Sequence, residues 1–162
     1  MEKEKYEGFT LSLALVDALP VIFFGLSCIM IGLLFGSKLF IIGAVLCFLA
    51  GFMKVMWKVI LAVKKKDVVF LNKQFRYTMI AGFVLIIISV IINIKRISIA
   101  AIWASVSTAP QCIFFLLWLA GMIGMIVLGK KLDSSVAKNN WIEQCVNGFA
   151  QISLFIALLL CK

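Results

Sequence analysis

The chain has 162 residues, 64% of them hydrophobic and only 14% charged, with a mean hydropathy of +1.16. A soluble domain is nearer half apolar and a quarter charged, and it could not bury so many long apolar runs on every side. The net charge of +9 does not point to nucleic acid, because the basic residues stand at the ends of apolar runs, where loops meet anionic headgroups.

The absence of histidine removes the commonest general base and metal ligand. The five cysteines (Cys28, Cys47, Cys112, Cys145, Cys161) form no CxxC pair and read as small apolar residues, so neither a metal nor a disulfide framework is expected. No cofactor and no catalytic constellation follow from the residues. The N-terminal segment is mixed in charge and leads into a run without a small-residue cleavage site, which reads against a cleaved signal peptide.

Five runs have membrane-spanning length, since about 20 apolar residues cross a hydrocarbon core roughly 30 Å thick. The first covers residues 9–35 and contains Asp17 and Pro20. The second covers 39–63 and contains Lys54 and Lys58. A basic stretch, from Lys64-Lys65-Lys66-Asp67 to Arg76, precedes the third run at 77–94. The fourth, 97–129, is long, holds Pro110 and Gln111, and begins with a Ser- and Ala-rich third that fits an interfacial helix or the outer part of a kinked span. After Lys130-Lys131-Leu132-Asp133 the fifth covers 140–160. The expectation is an all-α integral membrane protein, a five-transmembrane-helix bundle forming a single polytopic domain over 1–162.

Five spans place the N-terminus and the loops after spans two and four on one side. That side carries two, five and three Lys and Arg residues, against one, two and one on the other. Ten against four orients the N-terminus to the cytoplasm and the C-terminus outside. The Lys- and Ile-rich, Arg-poor usage suits a bacterial plasma membrane.

The two basic turns align. With Lys64-Lys65-Lys66-Asp67 set on Lys130-Lys131-Leu132-Asp133, Phe75 falls on Trp141 and Gly82-Phe83 on Gly148-Phe149. This reads either as one helix plus two duplicated hairpins, TM2–TM3 and TM4–TM5, or as a chance match of apolar helices.

Charges within a span cost at least a few kcal/mol unless paired or hydrated, which makes each a candidate for function. Counted from the run ends, Asp17 and Lys54 lie about nine residues deep, while Lys58 and Glu143 lie about four or five. Matching depth pairs Asp17 with Lys54 and Lys58 with Glu143; snorkelling to the headgroups is the competing account for the shallow pair. In span five, Asn140, Gln144, Asn147 and Gln151 are spaced four, three and four and form one helical stripe. Such a stripe faces protein or water, as glue between helices or as a cavity lining. Pro20, three residues after Asp17, frees a backbone carbonyl beside it. Trp141 and Trp103 read as interfacial anchors, and Gly121 with Gly124 as close helix packing.

The candidate substrate- or ion-binding residues are therefore Asp17, Lys54, Lys58, Glu143, Gln144, Asn147 and Gln151. The expected function is a transporter or channel-like protein for an ion or small polar solute, using a polar cavity in the cytoplasmic half. The alternatives are a non-catalytic subunit or regulator that binds another membrane protein and, more weakly, an intramembrane hydrophobic-ligand binder or enzyme. The expected partners are the lipid bilayer, the solute, and either a second copy or a membrane-protein partner.

Overall fold

The computed structural model describes residues 6–96 and 98–161. Lys3, Lys5 and Lys162, which entered the charge count, and Ile97, which opened the fourth run, lie outside the described residues. Helices are α1 (Leu11–Phe35), α2 (Lys38–Lys64), α3 (Val69–Ile92), α4 (Ile99–Ser107), α5 (Gln111–Lys131) and α6 (Ala137–Leu160), with a 3-10 turn at Ile94–Arg96. All but α4 are long and apolar enough to cross a membrane. The protein is an all-α, multi-pass membrane protein.

Local chemistry sets the ends. The Thr10 hydroxyl accepts from the Leu13 N–H at 3.3 Å and starts α1, and Gly36, at φ 57°, stops it in the left-handed conformation that glycine adopts without strain. Ser37 starts α2 by accepting from the Phe40 N–H, and its hydroxyl lies 2.7 Å from that of Ser89 near the far end of α3.

Two boundaries differ from the hydropathy reading. Helix α3 begins at Val69, about two turns before the apolar run at Tyr77. Its polar first turns are held in place by Gln74, whose amide donates to the Leu71 and Ala50 carbonyls at 3.1 and 3.5 Å while its oxygen accepts from Thr78. The fourth run divides: α4 ends at Ser107, Thr108-Ala109-Pro110 turns the chain, and α5 starts at Gln111. Proline lacks the N–H that would let α4 continue. Gln111 then donates to the Leu160 carbonyl at 2.8 Å and ties the far ends of α5 and α6. Trp103 is 70% exposed on α4, whereas Trp57 is buried against Phe9, Leu13 and Leu61, with Trp141 beside them.

The helices pack in the order α3, α2, α1, α6, α5, and the backbones of α3 and α5 nowhere come close. The bundle is thus a crescent with α1 at its centre. Its two hairpins, α2–α3 and α5–α6, flank α1, but helices equated by the shared basic turns occupy different places. Helix α2 lies against α1 while α5 lies outermost, and α6 lies against α1 while α3 lies outermost. Buried residues concentrate on α1, α2 and α6; α5 has none, and large apolar side chains cover the rest of the surface, as lipid requires.

The α2–α3 contact is the tightest. A Cβ on Gly82 would stand 2.5 Å from Cys47 Sγ and 2.8 Å from the Gly43 carbonyl oxygen, and backbone cannot yield as a side chain can. Gly82→Ala should therefore lose about 1–3 kcal/mol in unfolding from detergent micelles. Gly129→Ala, where a Cβ meets nothing within 4 Å, should lose none of this packing energy, and equal losses would contradict the close approach.

Candidate functional site

The buried charges meet near the end of the bundle that carries the two basic turns. Asp17, Lys58 and Glu143 each stand six residues from that end of their helices, α1 starting at 11, α2 ending at 64 and α6 starting at 137. Lys58 is 1% exposed, and its Nζ lies 2.9 Å from Asp17 Oδ2 and donates to Asn140 Oδ1 at 2.8 Å. The Asn140 amide donates to the Ser134 carbonyl at 3.2 Å, and the Ser134 hydroxyl donates to Glu143 Oε1 at 2.9 Å. One polar chain thus ties α1, α2, α6 and the loop before α6.

Both expected pairings are corrected. Asp17 pairs with Lys58, not Lys54, and Glu143 takes a serine hydroxyl, not Lys58. The apolar runs misplace the ends: α1 starts two residues later than its run, and α2 continues to Lys64, which moves Lys58 to the depth of Asp17. Lys58 does not snorkel; its ammonium is enclosed and bonded. Lys54, one turn deeper, turns toward α3 and sets its Nζ 4.4 Å from the centroid of the Phe75 ring, a cation–π contact.

Beyond this layer a cavity of about 410 Å³ receives side chains from all five long helices. One wall is polar: Asp17, Lys54, Glu143, Gln144, Asn147 and Gln151. The facing wall is soft and aromatic, with Phe75, Met79 and Phe83 on α3 and Met122 and Met125 on α5. Six of the seven candidate residues therefore line one space. Lys58, the seventh, lies behind it as the partner of Asp17. Pro20 also lines the cavity, and its missing N–H withdraws the usual helix donor from the Val16 carbonyl beside Asp17.

The stripe on α6 faces inward along its length. Asn140 is consumed by Lys58, while Gln144 and Gln151 are 7% and 6% exposed. The Gln151 amide donates to Met122 Sδ at 3.4 Å. The side-chain oxygens of both glutamines are buried without a hydrogen-bond partner among the described residues. Leaving such an acceptor unmet costs about 1–3 kcal/mol, which is notable in a native interior.

Sequence reasoning missed the α3 wall because it assigned Phe75 to a loop. The signal was present: Phe75, Met79 and Phe83 are spaced four and four, one face of a helix that starts before Tyr77. Ser134 carried no signal, since it bonds Glu143 from a turn. No family model, curated protein or solved structure compared with the chain matches it.

Proposed function

We propose that this membrane protein binds and passes a small cation or hydrogen-bond-donating polar solute through the cavity between its five spans. One observation carries the reading: two nearly buried glutamine oxygens, Gln144 and Gln151, border that cavity with no donor among the described residues to satisfy them. A bound ammonium, metal cation or hydroxyl would supply what they lack. Glu143 adds a carboxylate that, among the described residues, accepts a hydrogen bond only from a neutral serine, and the aromatic wall favours positive charge. The proposed orientation puts the basic turns and N-terminus in the cytoplasm and the C-terminus outside a plasma membrane.

The alternative of a non-catalytic subunit loses its main support, since the amide stripe would have to face a partner helix. Ile142, Phe149 and Leu159 occupy the exposed face of α6 instead. The test is flux in proteoliposomes with potassium, sodium, ammonium and choline as probes. Flux of at least one above protein-free vesicles is expected; none above that level would overturn the reading.

A further inference from the structure

A second cleft, of about 690 Å³, lies on the flank of α3 at the basic end. Lys54, Asn72, Lys73, Arg76 and Tyr77 line it, together with Phe75, and no carboxylate among the described residues does. Lys54, Lys73 and Arg76 have no ion-pair partner among the described residues. Asp67, the acidic residue of this turn, instead accepts the Trp57 indole N–H at 2.8 Å. Three cations gathered without a counter-charge from the described residues repel one another unless an anion joins them.

The rest of the face says which anion. Lys73, Tyr77, Ile80, Val84, Ile87 and Ile91 follow at spacings of four, three, four, three and four, so they form one stripe down α3. Tyr77 is 73% exposed, and the four apolar residues beyond it are also exposed. The stripe therefore begins with a cation, passes a tyrosine and continues as an apolar track into the span. That is the profile of a phospholipid: an anionic headgroup, a polar junction and an acyl chain.

We propose that this cleft is a binding site for an anionic phospholipid, with its phosphate on Lys73 and Arg76, Lys54 within the same cleft, and an acyl chain along Ile80, Val84, Ile87 and Ile91. Arg76 supplies the planar fork that meets two phosphate oxygens at once, and Lys73 a mobile point charge. The site shares Lys54, Phe75 and Met79 with the inner cavity, so the lipid stands beside that cavity on the α3 side. The assignment is independent of solute passage, and a protein without flux would still carry it.

Native mass spectrometry of the full chain from micelles containing phosphatidylglycerol or phosphatidylcholine tests it. One retained phosphatidylglycerol is expected, with phosphatidylcholine at least about tenfold weaker. Exchanging both Lys73→Gln and Arg76→Gln should weaken phosphatidylglycerol about tenfold to thirtyfold, and both side chains are exposed, so the fold persists. The Lys130→Gln, Lys131→Gln protein, with the same charge removed at the other basic turn, should bind as the parent does. Equal retention of the two lipids, or equal loss in the two variants, would overturn the site. Displacement of phosphatidylglycerol by millimolar inorganic phosphate would overturn the lipid assignment in favour of a soluble anion.

Discussion

Replacing Lys58 with methionine should destabilise the protein by about 3–5 kcal/mol, because it leaves Asp17 as an uncompensated charge in the interior. The pair is 2.9 Å long, with side chains only 2% and 8% exposed, so solvent screens it little. Asp17→Leu should cost a similar amount, since Lys58 would keep only the neutral Asn140 oxygen. The double variant Asp17→Leu, Lys58→Met removes both charges and should recover most of the loss. About 1–3 kcal/mol would remain, for the Asn140 oxygen that loses its donor. Lys54→Met should cost about 1 kcal/mol or less, the worth of a cation–π contact. Equilibrium unfolding of the four proteins in mixed micelles measures this cycle. A large loss for Lys54→Met with a small one for Lys58→Met would contradict the observed pairing.

Replacing Gln144 and Gln151 together by leucine should lower flux of the transported probe tenfold or more while leaving the fold as stable or slightly more so. The sign follows from the unmet oxygens. Each buried acceptor costs about 1–3 kcal/mol in the unliganded protein, and leucine removes that cost along with the ligand's acceptor. Residues that only glue helices together behave in the opposite way, losing stability when their hydrogen bonds go. Loss of stability with flux retained would therefore identify the stripe as glue. Flux and unfolding measured on the same preparation read both quantities at once.

The spans were legible in the sequence because lipid imposes length and apolarity on any crossing helix, and the α6 stripe because amides at spacings of four, three and four leave one face polar. Partner choice among the charges was not legible. Helix rise is about 1.5 Å per residue, so a two-residue error at one end shifts depth by about 3 Å, and errors on two helices combine to about a turn. That is the distance between Lys54 and Lys58. The α3 wall was hidden for a related reason: polar residues such as Asn72, Lys73 and Arg76 can begin a helix at headgroup level, yet hydropathy reads them as loop. The crescent order, with α3 and α5 apart, depends on packing at Gly43, Gly82 and Gly121, where small residues permit close approach without naming the helix that makes it.

On this reading the polar face of α6 borders a space that water and solute can reach. Cysteine accessibility is the direct test, in a chain whose five native cysteines are replaced by alanine. Gln144→Cys and Asn147→Cys should react with a charged methanethiosulfonate reagent, which modifies thiols in water, from the side bearing the basic turns. Leu116→Cys, at a 64% exposed position on the lipid face of α5, should not. Modification should be slowed by the transported probe. Unreactive thiols at both 144 and 147 would show the stripe to be sealed against protein, and the cavity would then have no part in function.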